Sequence, residues 1–230
     1  MSEQQRFSTD DLWPRTVAAA ERARAAGALQ TITADLHFVE QEGIRFGVHV
    51  PVAGDGHAAL ARKGDRTPDH NPFLPPDPLM VVADLSPTHV CLLNKFNVFG
   101  HHLLIVTRAF EDQRRALNAA DFAALWQCMA QVDGLAFYNA GGAAGASQRH
   151  KHLQLAPFPL WEGMAELPVE SALAVATLGA EPLVRRWPYL HAAVRLEADW
   201  LAAHEPDAAQ AVGAELARRY WALLAALGLD

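Results

Sequence analysis

The spacing of apolar positions changes along this chain, and each change predicts a different element. Residues 14–26 read as a helix, with Pro14 suited to the first turn and Gly27 to the end. From Thr31 to Val50 the pattern shortens. Ile32, Ala34, Leu36 and Phe38 alternate with Thr31, Thr33, Asp35 and His37, and Gly43 punctuates what reads as a pair of strands. A long polar segment rich in Gly and Pro follows between Ala53 and Pro78, of the kind that is either a binding element or disordered. Two apolar runs, Leu79–Ala83 and His89–Leu93, are short enough for central strands, and Leu103–Thr107 reads as another after the turn NKFNVFGHH. Asn118 can cap a helix running through Val132, with Phe122, Leu125, Trp126 and Met129 on its apolar face. Ala136–Asn139 reads as a brief strand, AGGAAGAS as a loop and His150–Ala156 as a further strand. From Leu160 onward the chain is expected to be helical, closing with an amphipathic helix from Asp207 to Leu227. There are no internal repeats. The class implied is α+β, an antiparallel sheet with helices packed on it.

Composition narrows the function more than the fold. Half of the 230 residues are apolar, enough for a substantial core, and a single domain over 1–230 with a helical part at 160–230 accounts for the pattern. No run approaches the roughly 18 uninterrupted apolar residues of a membrane span. The polar start MSEQQRFSTDDLWPR has no apolar signal core, so a cytoplasmic protein is expected. Cys91 and Cys128 each sit in an apolar stretch, without a CxxC pair, and read as buried thiols. A net charge of −7 weakly disfavours nucleic acid or an anionic membrane as partner. A phosphorylated small molecule needs only a few local cations and backbone amides, so it stays open.

The chemistry concentrates in one strand. Side chains alternate along a strand, so His150, His152 and Gln154 project to one side, while Lys151, Leu153 and Leu155 take the other. Taken alone, HxHxQ is equally compatible with two metal ligands or with ordinary satisfied polar groups. The run Asn139 to Ser147 just ahead of it consists almost wholly of residues with tiny side chains, which lets backbone N–H groups approach a phosphate. It is neither a Walker A loop nor GxGxxG. A neutral imidazole is a good nucleophile near pH 7 if its second ring nitrogen is held protonated, and attack on phosphorus would give a covalent phosphoramidate. Gln154 could then donate to a non-bridging oxygen without burying a charge.

The run NAGGAAGASQRHKHLQ, with NKFNVFGHHLLIVT and NPFLPP upstream, resembles the diadenosine tetraphosphate phosphorylase family, also called ATP adenylyltransferases. This is the branch of the histidine-triad superfamily in which glutamine replaces the third histidine, and the resemblance covers roughly Lys63 to Pro157. It implies a histidine-triad-like antiparallel sheet and a nucleotidyltransferase. His152 matches the nucleophile that takes AMP from the dinucleotide; phosphate then attacks to give ADP, with ATP as the other product. Gln154 matches the α-phosphoryl donor, and His150 the histidine that shapes loop and strand. Asn139 and the run Gly145, Ala146, Ser147, Gln148 match nucleotide and phosphate contacts, as do Asn94 and Lys95. Lys63 matches a phosphate-binding lysine loosely, with a solvated loop cation as the alternative. One of His101 and His102 is similar to a histidine kept near the site. The partners implied are a small nucleotide and phosphate, with no covalently bound cofactor and no metal cage. A magnesium ion carried by the polyphosphate would need few protein ligands. Family members continue past a helix like Arg218–Leu227 into further strands, so a simpler nucleotide, water as acceptor, or a non-catalytic nucleotide-binding protein remain alternatives. Oligomeric state is not encoded in these motifs.

Overall fold

The computed structural model describes residues 11–52, 71–170, 173, 183–184, 189–196, 200 and 206–229. Helix α1 (Leu12–Ala25) begins two residues earlier than its pattern predicted, because Leu12 is fully buried. Pro14 still falls among the first turn's unpaired N–H positions, where proline costs nothing. Thr16, Ala19, Ala20 and Ala23 continue the buried stripe. Strands β1 (Ala34–Gln41) and β2 (Ile44–Pro51) form an antiparallel hairpin through Glu42 and Gly43, both at positive φ, 52° and 72°. Such a two-residue turn matches the twist of its strands.

A five-stranded antiparallel sheet in the order β3-β4-β5-β7-β6 forms the centre. Its members are β3 (Val81–Asp84), β4 (His89–Leu93), β5 (Leu103–Thr107), β6 (Gly134–Phe137) and β7 (His152–Pro157). The first apolar run of the pair is split: Asp77 accepts the Leu79 N–H at 2.9 Å and starts a 3-10 turn, Pro78–Met80, so β3 begins only at Val81. Every residue of β4 and β5 is buried because both sheet faces are covered. On one face Cys91, Leu93, Leu103, Ile105, Leu153 and Leu155 pack with α1 and with α2 (Ala119–Met129). On the other, Val90, Leu92, Leu104 and Val106 pack under Phe73. Asn118 caps α2 by accepting the N–H groups of Ala120 and Asp121, and the Asp121 carboxylate returns the bond to the Asn118 N–H. The helix proper stops at Met129, short of the expected Val132.

Two strand assignments shift. β6 starts at Gly134, not Ala136, because Gly134 lies against Ala156, where an added Cβ would stand 2.5 Å from the Ala156 carbonyl oxygen. β7 starts at His152, and His150 makes only an isolated bridge with Asp112. The helical reading from Leu160 is corrected more broadly. A short antiparallel pair, β8 (Leu183–Val184) and β9 (Ala192–Ala193), precedes α3 (Pro206–Ala226). Local alanine content argues for helix there, but the pairing of Leu183 with Ala193 and of Val184 with Ala192 overrides it. Helix α3 packs on α2 through Trp126, Ala209 and Val212. Among the described residues no helix is long and apolar enough to cross a membrane.

Candidate active site

The alternation expected of the histidine strand is present. Leu153 and Leu155 enter the helix-side core, while His152 and Gln154 line a cleft of about 660 Å³ on the opposite face. Lys151 is buried beneath, 1% exposed, and its ammonium is held by Asp121 at 2.5 Å, Glu111 at 3.3 Å and the Ala116 carbonyl at 3.3 Å. The other Asp121 oxygen bonds His89 Nε2 at 3.1 Å. Burial alone would raise the Asp121 carboxyl, but the bonds from His89, Lys151 and the Asn118 N–H outweigh it and hold its pKa below the ordinary value. The residue leading into β7 is thereby tied to the start of α2 by a paired buried charge.

The two histidines differ sharply in what their rings can do. The Nε2 of His150 lies 2.7 Å from the Thr107 carbonyl oxygen, which can only accept, so that nitrogen carries the proton. Its Nδ1 then accepts from the Asn71 amide at 2.9 Å, and the Asn71 Oδ1 accepts the Phe73 N–H at 3.0 Å. Burial lowers the pKa of His150, in keeping with a neutral ring. With both nitrogens engaged, His150 has none left for a metal, and the two-ligand reading of HxH fails here. His152 donates Nδ1–H to the His150 carbonyl at 2.8 Å, which leaves Nε2 unprotonated in the neutral ring. Phe73 packs against both rings, at 5.6 and 5.3 Å between centroids.

Of the residues singled out in the sequence, Asn94, Lys95, Asn139, Gly145, Ala146, Ser147, Gln148, His152 and Gln154 all line this one cleft. His150 stands behind it. Lys63 lies outside the described residues. The small-residue loop folds back on itself: the amides of Gly141, Ala144, Gly145 and Ala146 bond to loop carbonyls at 2.9–3.1 Å. Of the residues that reach the cleft, Gly145–Gln148, the first two thus have N–H groups already engaged, against the expectation that they would serve a phosphate. The Asn94–Asn97 segment is braced from outside, since the N–H groups of Gln30 and Ile32 donate to the Lys95 and Asn97 carbonyls at 2.9 and 2.8 Å. Asn94 Nδ2 contacts His102 Nδ1 at 3.2 Å. Burial drops the His102 pKa to about 4, and the neighbouring His152 adds to the drop while contact with Gln154 opposes it. His102, not His101, is therefore the site-side member of the pair. Asn71, Phe73, Phe137 and Gln113 were not picked out from the sequence. The run NPFLPP marked the first two, but nothing local pointed to the others.

A family model described as the Ap4A phosphorylase N-terminal domain matches residues 2–175. The chain belongs to this family. Diadenosine 5',5'''-P1,P4-tetraphosphate phosphorylase 2 of Saccharomyces cerevisiae is 37% identical over 113 residues, 43% of this chain and 35% of that protein. Protein APA1 of the same yeast is 37% identical over 75 residues, 30% of this chain and 23% of its own length. Crystal structures of yeast Ap4A phosphorylase Apa2 superpose as well. The complex with Ap4A gives a TM-score of 0.59 at 25% identity, covering 79% of this chain and 61% of that one. The complex with AMP gives 0.53 at 28% identity, covering 65% and 51%. The chain thus spans less than two thirds of the length of these relatives, and the likeness to Apa2 accords with the histidine-triad-like sheet of the family.

Proposed function

We propose that the chain is an ATP adenylyltransferase that cleaves diadenosine tetraphosphate with phosphate to ADP and ATP through His152. In the first step Nε2 attacks the α-phosphorus, a P–N bond forms, the bridging P–O bond breaks and ATP departs. In the second an oxygen of inorganic phosphate attacks the same phosphorus, the P–N bond breaks and ADP leaves with the lone pair returned to Nε2. The observation that carries this reading is the bond from His152 Nδ1–H to the His150 carbonyl, because it presents an unprotonated Nε2 in a cleft bounded by Gly145–Gln148. Gln154 would donate to a non-bridging oxygen, and Lys95, the one described lining residue with a permanent positive charge, would draw polyphosphate. Asn94, Asn139 and, from beyond the described residues, Lys63 would add nucleotide and phosphate contacts. A magnesium ion, where used, would travel on the polyphosphate, since Asp77 is the one carboxylate among the described lining residues. The reaction suits a reducing cytoplasm, in which the buried Cys91 and Cys128 stay as thiols.

Incubation with diadenosine tetraphosphate labelled in the α-phosphates tests the reading. ADP and ATP formed only with phosphate, and labelled AMP held on the wild-type chain but not on His152→Ala, are the expected results. AMP release without phosphate would mean hydrolysis. Nucleotide binding without any covalent label would mean a binding protein.

A further inference from the structure

Strands β6 and β7 pair from Gly134 opposite Pro157 to Phe137 opposite Gln154. Two more residues in that register would bring Asn139 opposite His152. The pairing stops instead, and the side chain of Gln113 occupies the gap. Its Oε1 accepts the His152 N–H at 2.7 Å. Its Nε2 donates to the His152 carbonyl at 3.0 Å and to the Asn139 carbonyl at 2.9 Å. A carboxamide offers the same donor and acceptor as a peptide group, so it can replace one link of a ladder while holding two chains an amide's width apart.

We infer that Gln113 is a positioning residue for the nucleophile, its amide standing in for strand backbone so that His152 and Asn139 keep a fixed separation across the cleft. The inference rests on the adenylyltransferase reading of His152. Several bonds fix the wedge itself. The Gln113 N–H donates to the Arg149 carbonyl at 2.8 Å, its own carbonyl accepts the Tyr138 hydroxyl, and the side chain is 1% exposed. The Lys151 N–H also donates to the Glu111 carbonyl at 2.8 Å, so the segment 111–113 runs beside 149–152 as a short substitute for an edge strand. The splay this creates is what frees Asn139 from the ladder and lets the following loop turn toward Gly145–Gln148. Without the wedge, β6 could zip further along β7 or His152 could drift, and either displaces the imidazole relative to bound phosphate.

Single-turnover labelling by diadenosine tetraphosphate in the full chain tests this, with Gln113→Ala, Gln113→Glu and His152→Ala beside the wild type. AMP affinity and thermal unfolding are measured on each. A misplacement of about 1 Å costs on the order of 10²-fold in rate, so both Gln113 variants should label about 10²-fold more slowly, with AMP affinity changed by less than about threefold. Gln113→Glu keeps the acceptor for the His152 N–H but turns a second oxygen toward two carbonyls. Its rate relative to wild type at the same pH should recover as pH falls and the carboxyl regains a proton to donate, whereas that of Gln113→Ala should not. Labelling within about threefold of wild type in both variants would overturn the inference. So would parallel loss of rate and affinity, or failure of both variants to fold, which would make Gln113 an ordinary core residue. No labelling of the wild type would instead overturn the adenylyltransferase reading itself.

Discussion

The Nδ1–H of His152 donates to the carbonyl oxygen of His150, 2.8 Å from the nitrogen and two residues back along the chain. The acceptor is backbone, so what keeps it in place is the anchoring of its residue. The ring of His150 supplies that anchor through Thr107 on one side and Asn71 on the other. The first histidine of HxH thus acts on the second through its main chain, while its own side chain sits behind the cleft lining, against Asn71 and Phe73.

His150→Ala should therefore slow AMP transfer without abolishing it, since the carbonyl remains and only its anchor is lost. Leaving the half-buried Asn71 amide and the buried Thr107 carbonyl without this partner should cost about 1 kcal/mol of stability or more. Asn71→Ala removes one end of the same anchor, so the two substitutions should not add. A coupling energy above about 0.5 kcal/mol in urea unfolding and in labelling rate is expected. Strict additivity of the double variant would mean the anchor is not a unit.

Acid should destabilise the fold through His102. Its folded pKa near 4 lies below the ordinary 6.5, so the unfolded chain binds a proton first as pH drops. Stability is fully present above pH 6.5, declines between 6.5 and 4, and levels off from this source below that. A shift of this size corresponds to about 3 kcal/mol. His102→Asn should flatten the unfolding free energy over that interval, as read from urea midpoints at successive pH values. An unchanged slope would show that His102 is not the group titrating.

Much of this arrangement is legible in the chain because its signals are local. β4 and β5 are five-residue apolar runs, and the structure places both at their expected ends because they are covered on both faces. His152, Gln154 and Gly145–Gln148 are close in sequence, and alternation plus small side chains suffice to put them together. Asn94 and Lys95 follow a recognisable strand. What stays hidden is set by distance along the chain. Asn71 meets His150 across 79 positions and Gln113 meets His152 across 39; NPFLPP marks the first without naming its partner, and nothing local marks the second. Gly134 misleads for a related reason. Glycine argues against a strand locally, yet the close passage of Ala156 admits nothing larger.

The buried charges under the strand predict a large stability effect with a defined sign. Asp121 is 0% exposed and bonds Lys151, His89 and the Asn118 N–H. Asp121→Asn removes the closest carboxylate from the buried Lys151 ammonium, leaving it the longer contacts to Glu111 and the Ala116 carbonyl, and should cost about 3 kcal/mol, seen as a lower urea midpoint at constant slope. Replacing both partners, Asp121→Leu with Lys151→Met, should recover part of that loss, because an apolar pair leaves no uncompensated charge. The Asp121 carboxyl titrates below its ordinary value in the folded state, so its stabilisation is present above the usual carboxylate range and is lost as pH falls through the lower folded value.

Gln154 offers the test that joins the chemistry to the electrostatics of the cleft. It sits on the cleft face of β7, two residues beyond His152, and its side chain contacts His102. Gln154→Glu exchanges a donor for a carboxylate at the place where phosphoryl charge would grow. Loss of one such donor typically costs 10²–10³-fold, and the added repulsion makes about 10³-fold slower labelling the expectation. The same carboxylate beside the buried His102 ring favours its protonated form, so the His102 pKa should climb from about 4, followed by its ring resonances in an NMR titration. Gln154→Ala should slow labelling too, but it removes the contact that opposes the drop and should leave His102 at or below its present value. A rise in the His102 pKa without any loss of rate in Gln154→Glu would show that Gln154 touches the histidine and not the reacting phosphate.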